Sequence, residues 1–339
     1  MKKVILFLSL IVSISVLSSC SLLGICNDEE HFPDLALRYT VRNYDMNRNG
    51  YLSKKELEDI KSLTIWWDPC SDLSGIEYLT NLESLYVVHS RCSSLNGVEN
   101  LTNLKKLTFE DQCPDLSGIE KLTNLESMEL YRCVFSETFV FDNESAVAEF
   151  NFHNCVFEKG IIFKNVSVEN VTFDECAVSG DVVFADCDGL KSFDARFDPA
   201  DNDMINIFYG DYDPEYFEDM RGQSYSVDLS ECDNLDWVDI ENGQVITSVD
   251  LGNCSMLNGF SISDLYYYDE NEAKLNICGS PNIKYANIGL RGLKELDISD
   301  CPNLISLTET TPTSVEYSIK YENDDGRFYC SNEKLVIIK

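Results

Sequence analysis

The feature that most constrains this chain is a segment that occurs three times. Leu73, Leu79, Leu82 and Leu85 recur as Leu95, Leu101, Leu104 and Leu107, then as Leu116, Leu122, Leu125 and Met128, at spacings of 22 and 21 residues. Each copy also keeps a Gly followed by Ile-Glu or Val-Glu, and a Leu-Thr-Asn-Leu step. A unit this short cannot bury an apolar face alone, so it is stable only when neighbours stack and their leucines form one continuous core. The expectation is a solenoid rather than two ordinary globular domains in 339 residues.

The threefold Leu-Thr-Asn-Leu step resembles the internalin-like class of bacterial leucine-rich repeats. That resemblance implies a leucine-rich-repeat β-solenoid with a parallel β-sheet and little helix in the repeats. Past Met128 the consensus decays, but Phe141, Phe152, Phe163, Phe173 and Phe184 recur every 10 or 11 residues. Half a repeat is too short for a turn, so two short strands per turn are predicted, one on each side of a flattened coil. Further on, Val227 and Leu229, Val249 and Leu251, Leu275 and Ile277, and Leu296 and Ile298 suggest a return to one strand per turn. With Ile205 and Ile207 bridging the middle, about ten turns at roughly 4.8 Å each would give a rod near 50 Å long. Alternation at Val315, Tyr317 and Ile319, a turn at Asn323–Gly326 and the run to Ile338 predict a C-terminal hairpin cap. The predicted spans are a leader at 1–19, a lipidated cysteine and linker at 20–30, a helical cap at 31–66, the solenoid at 67–313 and the β cap at 314–339.

Lys2 and Lys3 precede an apolar run from Val4 to Leu17, and Leu17-Ser18-Ser19-Cys20 closes it. This resembles a bacterial lipoprotein signal peptide and lipobox, which implies lipid on Cys20 and loss of the first 19 residues. Losing both lysines takes the formal charge from −33 to −35. Such a charge excludes a non-specific grip on nucleic acid and should hold the body off anionic lipid, on the stretch from Ser21 to Glu30. Asp28, Glu29 and Glu30 resemble the surface-export tag of Bacteroidetes lipoproteins, which implies a lipid-anchored cell-envelope protein on the outer-membrane surface.

Residues 45–56 fit the twelve-residue EF-hand pattern. Asp45, Asn47, Asn49, Ser53 and Glu56 supply side-chain oxygens, Tyr51 a backbone carbonyl and Gly50 the sharp turn. Val41 and Tyr44 lead in, and Leu57, Ile60 and Leu63 are predicted to continue the exit helix. With two carboxylates and no second complete loop, weak calcium binding of the extracellular kind is expected. An EF-hand-like segment leading into such repeats behind a lipobox is similar to surface leucine-rich-repeat lipoproteins of gut and oral bacteria.

There are 14 cysteines. Cys133, Cys155, Cys176, Cys232, Cys254 and Cys301 each lie three residues after the second apolar strand residue, so one buried ladder of structural thiols is predicted. No Cys-x-x-Cys pair offers a zinc site. Equivalent cysteines on adjacent turns would lie within disulfide range, so pairing stays open, and Cys26 is a candidate free thiol.

His31, His89 and His153 are the only histidines, and none falls in a nucleophile motif. No phosphate loop, His-Glu-x-x-His or dinucleotide fingerprint occurs, so no enzyme is expected. The residue between the two apolar strand positions should face outward. Down one stack these are Tyr86, Thr108, Glu129, Asn151, Thr172, Asp228, Asp250, Asn276 and Asp297, acidic in its lower half. Two insertions interrupt the period and carry Tyr209, Tyr212 and Tyr216, then Tyr266, Tyr267 and Tyr268. The expected function is non-catalytic recognition of a host or bacterial surface protein through Asp228, Asp250, Asp297 and these tyrosines. The alternatives are a glycan-capture lipoprotein or an enzyme with an unrecognised carboxylate site.

Overall fold

In the computed structural model the chain forms two compact units, one through Leu125 and one from Glu126. The structure describes residues 25–66, 70–88, 91–92, 95–110, 116, 118–142, 147–198, 219–220, 222–265, 272–290, 293–301, 306–309, 315–320, 325–330 and 336–338. The fold is a parallel β-solenoid with little helix; the first unit begins with two short helices and the second ends in an antiparallel β element.

In the first unit, Ser62–Ile65, Ser84–Val87 and Lys106–Glu110 pair in parallel, with Leu63, Leu85 and Leu107 side by side. The sheet therefore begins before residue 67. Leu63 belongs to a strand, and the exit helix stops at Asp59. The consensus can be read atom by atom. Gly75 and Gly97 take φ of +100° and +93°, which favours glycine, and each opens a short 3-10 turn. The glutamate two residues on accepts the glycine N–H at 2.7 Å in both copies. The Asn of Leu-Thr-Asn-Leu donates its amide to a carbonyl of the preceding turn: Asn103 to Thr80 at 2.9 Å and Asn124 to Thr102 at 2.7 Å. Its flanking leucines Leu79, Leu82, Leu101, Leu104, Leu122 and Leu125 are buried.

The second unit carries two main sheets. The front sheet contains Ser127–Tyr131, Glu149–His153, Asn170–Asp174, Ser192–Phe197, Trp237–Asn242, Gly259–Asp264 and Tyr285–Gly289, aligning Met128, Phe150, Val171, Phe193, Val238, Phe260 and Ala286. The back sheet contains Phe139–Asp142, Ile161–Lys164, Gly180–Ala185, Ser224–Asp228, Val245–Asp250, Ala273–Asn276, Leu293–Asp297 and Val336–Ile338. Phenylalanines alternate between the two sheets as their half-repeat spacing requires. Phe152 stacks on Phe173 at 4.8 Å and Phe163 on Phe184 at 4.7 Å, the interstrand distance itself. Burying each ring contributes about 2–3 kcal/mol.

Four expectations change. The two-strand turn persists to the end: the motifs at Val227, Val249, Leu275 and Leu296 lie on the back sheet, and less regular front strands interleave with them. A third ladder, Val134–Phe135, Val156–Phe157 and Ala177–Val178, lies between the sheets in chain order. Val182 pairs directly with Val227 and Phe193 with Val238, so no rung separates them to be filled by Ile205 and Ile207, which lie outside the described residues. At the last rung of the third ladder the buried Gln244 amide accepts from Val178 N–H at 2.8 Å and donates to its carbonyl at 3.0 Å, standing in for a strand. At the C-terminus Val315–Lys320 and Asp325–Cys330 form an antiparallel hairpin to which Ser306–Glu309 adds a third strand, but the run to Ile338, expected in that cap, instead pairs in parallel with Leu293–Asp297 on the back sheet.

The cysteines form two ladders, because the two sheets are distinct. Cys133, Cys155 and Cys176 follow front strands; Cys187, Cys232, Cys254 and Cys301 follow back strands. Among the described residues these cysteines are thiols. Five of them donate across to the turn before, among them Cys155 to Leu130 O at 3.3 Å, Cys254 to Leu229 O at 3.3 Å and Cys301 to Ile277 O at 3.0 Å, while Cys187 donates within its own turn to Ala185 O at 3.3 Å. Ser280 fills the same slot and makes the same bond to Leu251 O at 2.8 Å. On the back sheet burial pushes the thiols up, Cys187 to about 11 and Cys254 to about 12, so these remain protonated donors at neutral pH. The residue before most of them is left-handed, Arg132, Asn154, Glu175, Asp186, Asn253 and Asp300 all having φ between 52° and 62°. This bend directs the thiol inward. Cys254→Ala should cost about 1–2 kcal/mol through the lost bond and packing, whereas Cys254→Ser, which reproduces the Ser280 arrangement, should cost less; chemical denaturation measures both.

Candidate functional site

Three regions place polar or aromatic side chains where a ligand could meet them. In the cap, the helix Leu35–Arg42 is started by Asp34, whose carboxylate accepts Leu37 N–H. Its inner residues Ala36, Leu37 and Val41 are buried, as are Phe32, Leu52 and Ile60 of the same unit. The 45–56 loop is held by side-chain oxygens that accept its own backbone N–H groups. Asp45 accepts from Asn49 N–H at 3.1 Å and Gly50 N–H at 2.8 Å, Asn47 from Asn49 N–H at 3.0 Å, and Asn49 from Tyr51 N–H at 2.9 Å. Ser53 and Glu56 form a reciprocal capping box on the helix Lys54–Asp59. Glu56 also reaches back across the loop to Met46 N–H at 3.0 Å and the Asn47 amide at 3.2 Å. The Ser53 N–H leads the bonds that hold the Glu56 carboxyl below its ordinary value.

Where two EF-hand loops would pair, this loop pairs with the N-terminal segment. Ile25 and Cys26 lie antiparallel to Leu52 and Tyr51, and Asn27 N–H donates to Gly50 O at 3.1 Å. Residues 25–30, expected within a linker, are therefore part of the cap, and Phe32 is buried just beyond them. Among the described residues no three His, Cys, Asp or Glu side chains converge as a metal set. The loop brings two carboxylates, with amide, hydroxyl and carbonyl oxygens for the rest, a donor set suited to a hard cation held weakly.

The outward residues form two faces rather than one column. On the back sheet Asp228, Asp250, Asn276 and Asp297 are in register. Their side chains serve the turns that follow: Asp228 accepts from Ser230 N–H at 3.0 Å, Asp250 from Gly252 N–H at 2.9 Å and Asp297 from Ser299 N–H at 2.9 Å. Asn276 donates to Asp250 at 2.9 Å, so an amide separates Asp250 from Asp297, whereas Asp228 and Asp250 are direct neighbours. Tyr209, Tyr212, Tyr216, Tyr266, Tyr267, Tyr268 and Cys20 lie outside the described residues.

On the front sheet the column Glu129, Asn151, Thr172 continues instead as Asp194, Asp239, Ser261 and Asn287. Partial desolvation on the crowded strand face raises the Asp194 carboxyl, followed by the charges of Asp239, Glu241 and Asp174. Desolvation raises Asp239 as well, partly offset by the Ser261 hydroxyl. One column over, Trp237 and Tyr285 stack at 5.5 Å across the intervening rung, and both are exposed. Gly259 makes this possible, since a Cβ there would come within 2.6 Å of the indole. On the other side Tyr131 stacks on His153 at 4.4 Å, His153 faces Asp174 at 3.4 Å, and Arg196 faces Glu175, Asp198 and Glu241 at 3.6–3.9 Å. Sequence reasoning missed Asp194, Asp239, Trp237 and Tyr285. Aligning Phe193 with Val238 across the long insertion would have found them.

His31 faces Asp28 at 2.8 Å. Among the described residues no serine or cysteine side chain hydrogen-bonds to the imidazole of His31 or His153, and His89 lies outside them. No helix among the described residues is long and apolar enough to cross a membrane.

Fold and faces together define a leucine-rich-repeat β-solenoid whose second unit presents two strand faces. No known family profile and no curated protein matches the chain. Among solved structures it is similar to internalin InlF of Listeria monocytogenes, at 17% identity and TM-score 0.34, over 81% of this chain and 91% of that one. Internalin C2 of the same organism aligns at 15% identity and TM-score 0.35 over 80% and 87%. The functional domain of InlJ from L. monocytogenes, described as including a cysteine ladder, aligns at 12% identity and TM-score 0.27 over 89% and 97%.

The raised carboxyls make a signed prediction. A carboxyl whose value rises on folding opposes folding at neutral pH, and that opposition fades as pH falls through the raised value and the native group takes up its proton. Asp194→Asn should therefore raise the thermal midpoint at pH 7, and the gain should shrink as pH is lowered towards 4.

Proposed function

We propose that this chain is a non-catalytic recognition protein of the bacterial cell surface, tethered by lipid on Cys20, whose front face binds a basic segment of a protein partner. The observation that carries the reading is the exposed Trp237–Tyr285 stack beside the in-register acids Asp194 and Asp239. Aromatic faces and carboxylates together suit lysine or arginine side chains. Both tyrosine-bearing insertions leave the ends of front strands on these rungs: residues 199–218 follow the strand of Asp194, and 266–271 the strand of Ser261. In this reading Tyr209, Tyr212, Tyr216, Tyr266, Tyr267 and Tyr268 extend the contact surface. The back-sheet acids Asp228, Asp250 and Asp297 contribute long-range attraction while capping their turns.

A glycan is the second reading, favoured by the same stacked rings beside Asn287 and Asp239. An oligo-arginine peptide separates the two. Trp237→Ala should weaken peptide binding by roughly 3- to 30-fold, and raising salt should weaken it steeply. Glycan-array binding that survives high salt and is lost in Trp237→Ala would move the assignment to sugar, and binding of neither probe would sink both readings.

The 45–56 loop is proposed as a weak calcium site with Asp45, Asn47, Asn49, Tyr51, Ser53 and Glu56 as its donors. Calorimetry should give a dissociation constant on the order of 10⁻⁴–10⁻³ M, at least tenfold weaker in Glu56→Gln. No heat with the parent chain would leave the loop a helix cap alone.

A further inference from the structure

The cap holds a feature that neither face uses. A cleft of about 740 Å³ opens between the helix Leu35–Arg42 and the 45–56 loop, with Arg38, Arg42 and Arg48 in its lining. In a chain with 26 basic and 59 acidic residues, three of only nine arginines line this one cleft. The lone acid in the lining, Asp45, is buried and occupied by loop N–H groups. Arg38 is near Glu29 at 3.4 Å, and that carboxylate is 86% exposed. Arg42 and Arg48 make no ion pair with a described residue and are exposed. Leu35, Arg38, Tyr39 and Arg42 recur at i, i+3, i+4 and i+7, so the helix turns one basic and apolar face outward while Ala36, Leu37 and Val41 bury the other. Leu35 and Tyr39 are 51% and 57% exposed at the rim.

We infer that this cleft binds the phosphate of an anionic phospholipid headgroup, the arginine forks holding the phosphate and Leu35 and Tyr39 meeting the boundary of the acyl region. Guanidinium groups match phosphate oxygens in pairs, and a basic helix face with an apolar rim is the pattern of a membrane-surface contact. Chain length favours a lipid over a soluble phosphate. Cys20 precedes Ile25 by five residues, which span at most about 18 Å, so a lipid on Cys20 places the cleft beside the headgroups. The choice of occupant rests on that anchor reading. Charges beyond about 8 Å are screened at physiological salt, so the local arginines, rather than the net charge, govern contact. The body would then lie against the membrane at its cap, not at the end of a free stalk.

The test uses the lipid-free chain from Cys20 to Lys339, which keeps every described residue, in EDTA to exclude calcium bridging. It should float with vesicles of phosphatidylcholine plus phosphatidylglycerol and not with phosphatidylcholine alone, and inorganic phosphate should compete. Affinity should fall roughly fivefold for each arginine removed in Arg42→Ala and Arg48→Asn, the asparagine chosen because Arg48 has φ +58°. Both positions are exposed, so an unchanged thermal midpoint certifies the fold. Absent flotation, or equal flotation of the double variant, overturns the proposal. An arginine-dependent rise in thermal midpoint with inorganic phosphate, without flotation, overturns the lipid occupant in favour of a soluble phosphate. Labelled palmitate on Cys20 in cells tests the anchor separately, and its failure leaves the vesicle result standing.

Discussion

A parallel ladder offers each strand the next one at about 4.8 Å, and this spacing decides which side chains meet. Everything else in the second unit follows from holding that register. Phenylalanine rings stack because the distance between strands is the stacking distance. Most thiols reach a carbonyl of the preceding turn because the same inward slot recurs at the same point on successive turns, usually after a left-handed residue. Like residues face like, which makes apolar positions cohesive and acidic positions costly.

The acidic positions are handled in two ways. On the back sheet each aspartate accepts a backbone N–H two residues on, and Asn276 interrupts the stack, so much of the negative charge there serves to shape turns. On the front sheet Asp194 and Asp239 meet on adjacent rungs of a partly desolvated strand face, and their carboxyls rise. A pair left in that state beside exposed aromatic rings is a better candidate for a cationic partner than acids already committed to the backbone.

The cap follows a different logic, since its loop replaces the usual partner loop with the chain's own N-terminal segment. Pairing Ile25–Cys26 with Tyr51–Leu52 ties the 45–56 loop to the N-terminal segment. The same arrangement brings three arginines to one side of the cap, against the trend of the whole composition.

The sequence alone determined the repeat, the alternation of phenylalanines between two strands, the thiol slots and the presence of a strand pair starting at Val315. These are local or strictly periodic, so offsets along the chain reveal them. Which face a rung presents was decided only by tertiary structure. The motif at Val227 looks like the continuation of the Leu85 series, yet it lies on the opposite sheet, because the insertion after Phe197 hides the front strand at Trp237. The Trp237–Tyr285 stack needs two strands 48 residues apart and a glycine between them. The arginine cleft likewise joins a helix and a loop whose basic residues are scattered in the chain. Such contacts depend on long-range register, and no local pattern encodes it.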